Sequence, residues 1–356
     1  MKKVLKGFLI LLLVIVLAVG GYLTYVFIDF HRIGDNTPLE VDSNTVGEAV
    51  QAETPYKIVS WNIGFGAYES DYGFFMDGGT ESRAWSKERL EANLERIGSL
   101  LKKQDADFYI LQEVDTDSTR SYHVDETIPM RKACAGMSNV WAQNYDSPYL
   151  MYPLTRPHGK SVAGIMTFSD YEITAAVRRE LPIEGGFMKF LDLDRCYSVC
   201  RMNVENGKEL VLYNMHLSAY TSDGSIANEQ LKLLIADMKS EYEKGNYVVC
   251  GGDFNKDILG DSSAYFGKSD VEYTWAQPLP EGIFDGTGLK LVAPLDEANP
   301  VPSCRNADGP YHQGQYVLTI DGFIVSDNVE VVSSDVIDLA FANSDHNPVE
   351  MTFVLR

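Results

Sequence analysis

The chain is poor in positive charge. Lysine and arginine number 30 against 51 aspartates and glutamates, for a formal net charge of −21. No basic run follows the N-terminus. That disfavours a protein that grips nucleic acid through a basic groove. A nuclease is still allowed, because bound divalent cations offset local carboxylates. Cysteine is scarce and odd in number: Cys134, Cys196, Cys200, Cys250 and Cys304, with no Cys-x-x-Cys pair. A zinc knuckle and a full disulfide framework are both disfavoured, and a single bridge through Cys196 or Cys200 stays open. Cys250 lies in an apolar run and reads as a small buried hydrophobe. Repeats and low-complexity tracts are absent, which sets aside repeat architectures. What remains is 356 residues with 45% apolar content, enough for one large α/β domain or two small ones.

Long apolar runs are confined to one place. Gly7 to Ile28 carries no charge and follows Lys2, Lys3 and Lys6. Its length suffices to cross a bilayer as a helix. The lysines favour a cytoplasmic N-terminus, which puts the rest of the chain outside the membrane. Ala18-Val19-Gly20 offers a cleavage site, so a secreted product after signal cleavage is the alternative. Residues 29–53 are polar and read as a linker tethering a domain that spans 54–356.

The domain opens with a strand, Lys57 to Ile63. A helical face follows at Leu90, Leu94, Ile97 and Leu101, and then a strand from Asp107 to Glu113. Further strands are expected at 163–168, 197–204, 209–216, 247–250, 316–325 and 349–355. A second amphipathic helix is expected near 226–242. The Gly/Pro-rich stretch from Lys256 to Gln315 reads as a functional loop region.

The chemistry gathers where these strands end. Val248-Val249-Cys250-Gly251-Gly252-Asp253-Phe254-Asn255 is an apolar run stopped by two glycines, then an acid and an amide. Period-2 geometry puts Asp253 and Asn255 on one side of the chain. Asn62, Glu113, His216, Asp321 and Asp345-His346 also sit at or near the ends of apolar strands. Each alone has a bland reading: a capping acid, a turn acid, a satisfied core histidine. Their joint recurrence does not, because a carboxylate in an apolar run is costly unless paired or holding a metal.

Ser60-Trp61-Asn62-Ile63, Leu111-Gln112-Glu113, Asn214-Met215-His216-Leu217, Gly252-Asp253-Phe254-Asn255, Ile320-Asp321 and Ser344-Asp345-His346 resemble, in order, the motifs of the endonuclease/exonuclease/phosphatase superfamily. That superfamily includes deoxyribonuclease-like enzymes, neutral sphingomyelinases and inositol polyphosphate 5-phosphatases. The resemblance implies a four-layer α-β-β-α sandwich with two mainly antiparallel sheets. It implies Mg²⁺, or Mn²⁺ in its place, held by Glu113 with help from Asn62 and Asp345. Where several relatives carry a second acid two residues after the asparagine, this chain has Gly64. The implied catalytic residues are His216, Asp253, Asn255, Asp321 and His346. Asp253 would activate water, and Asn255 would hold that water or a phosphate oxygen. His346 paired with Asp321 would stabilise charge, and His216 would stabilise charge and protonate the leaving group.

Arg120, Lys160 and Arg305 are candidate contacts to substrate phosphate. The aromatics from Tyr68 to Trp85 either meet substrate or hold their loop on the core. The leading expectation is a membrane-tethered, extracytoplasmic, Mg²⁺-dependent phosphoesterase. Its substrate would be a phosphodiester in a lipid headgroup or small organophosphate rather than nucleic acid. A nonspecific surface nuclease and a catalytically silent binding module are the alternatives.

Overall fold

The computed structural model describes residues 2–43, 45, 47, 49–186, 189, 194–219, 225–271 and 273–356. The apolar N-terminal run forms helix α1 (Lys2–Asp29), of which only Val26 is buried. It is the one helix among the described residues long and apolar enough to cross a membrane.

Two seven-stranded sheets follow. The first contains β2 (Val41–Asp42), β3 (Pro55–Asn62), β4 (Phe108–Asp115), β5 (Ser138–Asp146), β6 (Val162–Ser169), β15 (Val329–Val336) and β16 (Val349–Leu355). Its spatial order is β15-β16-β3-β4-β6-β5-β2. The second contains β1 (Thr37–Pro38), β7 (Ala175–Glu180), β8 (Cys196–Asn203), β9 (Glu209–His216), β10 (Tyr247–Asp253), β11 (Leu289–Val292) and β14 (Asp321–Ser326). Its order is β1-β7-β8-β9-β10-β14-β11. A short ladder pairs β12 (Cys304–Arg305) with β13 (Val317–Leu318).

Each sheet is antiparallel except at one pair, β3–β4 in the first and β9–β10 in the second. Parallel neighbours need a crossover, and a helix supplies each one. Helix α2 (Lys87–Gln104) connects β3 to β4, with the short α3 (Thr127–Ala133) packed beside it. Helix α4 (Ser225–Glu243) connects β9 to β10. Leu90, Leu94 and Ile97 of α2 cover Val59, Trp61 and Tyr109 on the outside of the first sheet. Leu231, Leu234 and Met238 of α4 cover Val248, Cys250 and Tyr213 on the second. Between the sheets lie Ile58, Phe108, Ile110, Leu212, Val249, Phe323 and Met351. The architecture is the four-layer α/β sandwich that the motifs imply.

Two expectations need correction. Residues 29–53 are not a loose tether along their whole length. Thr37–Pro38 pairs with β7, Val41–Asp42 pairs with β5, and Val50 is buried against Val204. Exposed sheet edges seek a partner, and this segment covers one edge of each sheet. The strand expected at 316–325 is broken between β13 and β14. There the amides of Thr319 and Ile320 donate to the hydroxyls of Ser262 and Ser303, not to a neighbouring strand. The described cysteines are all free, buried thiols.

Candidate active site

Strand parity builds the floor of the site. Inward positions read Ile58, Ser60, Asn62 along β3 and Phe108, Ile110, Gln112 along β4. They read Leu212, Asn214, His216 along β9 and Val249, Gly251, Asp253 along β10. The face between the sheets thus turns from apolar to polar at one end. Gln112 donates to Asn214 at 2.8 Å, and Asn214 donates to the carbonyls of Leu111 and Met166. This buried amide pair ties the sheets together beneath the site.

Register aligns the strand ends. Asp253 lies opposite His216 on β9 and opposite Asp321 on β14. The two glycines before Asp253 are required by space. A Cβ on Gly251 would stand 2.6 Å from Ile110 of the facing sheet. Gly252 has φ +142°, and a Cβ there would stand 1.9 Å from the Met215 carbonyl oxygen.

Asp253 is the hub. Its Oδ1 accepts the Asn255 amide at 2.8 Å, and its Oδ2 accepts Asn62 Nδ2 at 3.0 Å. The Nε2 atoms of His216 and His346 lie 3.6 and 3.8 Å from the same Oδ2. Burial, reinforced by the charge of Asp321 and opposed by that of His346, pushes the Asp253 carboxyl up to about 7. His346 Nδ1 is bound to Asp321 Oδ2 at 2.8 Å. Burial disfavours its charge, but Asp321, aided by Cys304 and Asp345, prevails and holds His346 well above the usual imidazole range. Asp321 is fixed in turn by the Ser303 hydroxyl at 2.7 Å. His216 is the opposite case. Burial, then the positive charges of Arg195, His346 and Arg120, push it well below the usual range. Its buried Nδ1 has no partner among the described residues. The surroundings of His216 therefore disfavour its charged form.

Glu113 arrives by a backbone irregularity. Its φ is +54°, and the β4–β6 register shifts between Leu111 and Val114. Regular alternation would send Glu113 to the outer face with Leu111. The bulge re-aims it into the cavity, a use bulges often serve. Asp345 lines the same cavity. Burial and the nearby charge of Glu113 raise its carboxyl to about 6, although His346 and Arg305 pull it down. A Cβ on Gly64 would stand 2.9 Å from the Tyr68 ring and 3.2 Å from Asp345 Oδ1. The space of the missing second acid is thus occupied by Tyr68 and the Asp345 carboxylate.

Two carboxylates converging in one cavity, one raised partly by the other, suit a divalent cation. An all-oxygen donor set suits Mg²⁺ or Mn²⁺. Asn62, also expected in that set, is held by hydrogen bonds. Its Oδ1 accepts the Gly64 amide at 3.0 Å, which fixes the orientation of the side chain. Its Nδ2 then faces Asp253 and, at 3.4 Å, Glu113. As a donor it orients the two acids. Asp253, Asp321 and His346 also lie close enough to share an ion. However, His346 Nδ1 is already bound to Asp321, and an acid–imidazole–acid chain explains that cluster without a metal.

Each of the three expected substrate cations has a protein partner. Arg120 is buried, forks onto Asp115 at 2.8 and 3.1 Å, and lies 3.8 Å from Glu113. Arg305 lines the cavity, but its guanidinium donates to the carbonyls of Gly309, Glu69 and Tyr72. Lys160 lies outside the cavity wall and pairs with Asp146 at 3.4 Å. Nothing in a sequence shows which groups a guanidinium will meet, so both arginines pass for substrate ligands there. Ser303 carries no signal for the converse reason: one serine in a loop means nothing until Asp321 is placed beside it.

The cavity measures about 380 Å³. Asn62, Glu113, His216, Asp253, Asn255, Asp345 and His346 form its polar end. Tyr68, Met76, Tyr273 and Trp275 extend it from the two long loops. Most of the Tyr68–Trp85 aromatics pack onto one another, as between Tyr68 and Tyr72 or Phe74 and Phe75. Asn255 donates one amide hydrogen to the Leu217 carbonyl at 2.8 Å, which orients the rest of the group on the cavity wall.

Acids, amides and imidazoles on the strand ends of a four-layer sandwich define a hydrolytic site of the acid–base kind, with room for a cation. The model of the Endonuclease/Exonuclease/phosphatase family matches residues 59–346, and the chain belongs to that family. Solved structures with this fold share little sequence with it. An endonuclease/exonuclease/phosphatase from Beutenbergia cavernae DSM 12333 is 16% identical, with a TM-score of 0.55 over 85% of this chain and 72% of that one. ANGEL2, a 2',3'-cyclic phosphatase in complex with adenosine-2',3'-vanadate, is 15% identical, with a TM-score of 0.56 over 89% and 98%. A family member from Bacteroides vulgatus is 16% identical, with a TM-score of 0.52 over 85% and 100%. No curated relative matches the chain.

Proposed function

We propose that the protein is a membrane-tethered, divalent-metal-dependent phosphoesterase that opens a phosphodiester by direct attack of water. The observation that carries this reading is the surroundings of Asp253. A buried carboxyl standing near 7 is a base matched to neutral pH. Asp253 takes a proton from water as the oxygen attacks phosphorus. The ester P–O bond breaks, and the leaving oxygen takes a proton from His346, the ring that Asp321 keeps charged. The Asp253 proton can then restore His346 across the 3.8 Å between them. Neutral His216 and the free portion of the Asn255 amide bind phosphoryl oxygens, as donors aimed where charge develops. Glu113 and Asp345 would hold Mg²⁺ or Mn²⁺, and such an ion would neutralise charge on the phosphate and the leaving oxygen.

The tether is read from α1, and the lysines before it support an extracytoplasmic domain. The cavity volume and the pairing of the three candidate cations with protein groups favour a small organophosphate or lipid headgroup over nucleic acid. Full-length protein should be assayed on a soluble diester, a monoester, sphingomyelin and DNA, with and without chelator. Metal-dependent diester cleavage that disappears in Asp253→Asn is the expected result. Cleavage unchanged by thorough chelation would overturn the proposal, and efficient digestion of DNA would make the protein a nuclease.

A further inference from the structure

The loop between β5 and β6 is unusually apolar for an exposed segment. Tyr149, Met151, Tyr152 and Leu154 are 38%, 45%, 68% and 82% exposed. The loop is also joined to the N-terminal helix. Tyr22 Oη donates to the Tyr149 carbonyl at 3.1 Å and accepts the Met151 amide at 3.2 Å, while Tyr25 Oη accepts the Tyr149 amide at 2.9 Å.

The position of that junction along α1 matters. A hydrocarbon core of about 30 Å takes about 20 helical residues. Counted from Lys6, the last charge before the apolar run, the span ends near Val26. Tyr22 and Tyr25 then lie at the outer interface, where tyrosines concentrate. The backbone they hold, 149–151, is placed at the same level.

Resting on the membrane-tether reading above, we propose that loop 149–154 is a second membrane contact, a wedge of apolar side chains seated in the phospholipid surface beside the span. Its occupant is the bilayer and not a soluble partner, because the loop continues the surface on which α1 enters the membrane. The contact is apolar and not electrostatic. With a net charge of −21 the protein gains nothing from an anionic surface, and the nearby cations Arg156 and Lys160 are paired with Glu81 and Asp146.

The wedge reaches the active site through one further loop. The rings of Tyr152 and Phe75 lie 5.7 Å apart, and Ser82 donates to the Arg156 carbonyl. Met76, Asp77 and Gly78, which follow Phe75, line the catalytic cavity. One wall of that cavity is therefore held against the membrane-facing loop, so esters in lipid headgroups are the substrates it meets first.

Site-directed spin labelling tests this. All described cysteines are buried, so a label reports on an introduced one. Full-length Leu12→Cys, Leu154→Cys and Val332→Cys are reconstituted in phosphatidylcholine vesicles. Each label is then relaxed with molecular oxygen, which enters hydrocarbon, and with a water-soluble nickel chelate. Val332 is exposed on β15, at the sheet edge remote from β5. The expected result is an oxygen-to-nickel accessibility ratio at Leu154 severalfold above that at Val332, with Leu12 higher still. Leu12 in lipid and Leu154 in water would overturn the wedge and leave the tether standing. Leu154 shielded from both reagents would overturn it in favour of a protein contact. Leu12 in water would remove the tether and this inference with it.

Discussion

At the scale of single residues, the site works by dividing similar groups between opposite states. Two histidines face one carboxylate oxygen. Asp321 favours the charged form of His346 over the cost of its burial, and burial with nearby cations disfavours that of His216. Asp253 stands near 7 and should serve as base only when ionised. Turnover in the acid limb is therefore expected to rise about tenfold per pH unit and to level off near 7. Asp253→Asn should remove this limb and lower kcat by at least about 10³-fold. The same variant should make the metal-free fold more stable at high pH. A carboxyl raised in the folded state favours folding fully only below its unfolded pKa, and that contribution is lost as pH rises through about 7. Above pH 8, denaturant melts in chelator should show the Asp253→Asn variant gaining on the order of 2 kcal/mol over the parent. Arg305→Ala and Lys160→Ala offer a contrast. The first empties a buried guanidinium that satisfies three carbonyls and should cost about 2–4 kcal/mol of stability. The second removes a half-exposed ion pair and should leave kcat/KM within about twofold.

At the scale of elements, the decisive features are places where regular structure is broken. The bulge in β4 brings Glu113 round to the cavity. The break between β13 and β14 lets Ser303 bind both the Asp321 amide and its carboxylate. Gly252 lets β10 lie against β9 at the level of Met215. Gly252→Ala sets a Cβ against a backbone oxygen at a φ that L-residues rarely adopt. It should lower the unfolding free energy by about 3 kcal/mol and shift the Asp253 carboxylate, costing activity beyond what stability explains. Thermal melts beside single-turnover rates would separate the two losses.

At the scale of the whole molecule, the sandwich brings together ends of strands from both sheets. The β3, β4 and β16 end supplies Asn62, Glu113, Asp345 and His346, and the β9, β10 and β14 end supplies His216, Asp253 and Asp321. The cavity exists only while the sheets stay face to face, so function should be lost with the inter-sheet amide pair. Gln112→Leu leaves Asn214 partly unpaired in a dry layer and should cost about 1–3 kcal/mol. Exhaustive chelation should lower turnover of full-length protein by at least about 10²-fold, with recovery on adding Mg²⁺ or Mn²⁺ and not Ca²⁺ alone. In cell fractionation the chain should stay with membranes through a carbonate wash.

Much of this is legible in the order of the residues alone. The span in α1, the helical faces of α2 and α4, and most strands follow from periodicity, because a half-buried element must alternate polar and apolar at its own repeat. Strands β5, β7 and β15 are hidden because their polar and charged outward faces dilute that pattern. The residues of the site stand out as polar groups at strand ends, where an unpaired charge is too costly to keep without a purpose. Their states do not. A sequence contains Asn62, Arg120, Arg305 and His216 but not their partners. It is tertiary packing that sets Asn62 against Asp253, brings Arg305 to the carbonyls of Glu69 and Tyr72, and buries His216. Asn62 meets Asp253 across 191 residues and Arg305 meets Glu69 across 236, and contacts at that range only the tertiary structure decides.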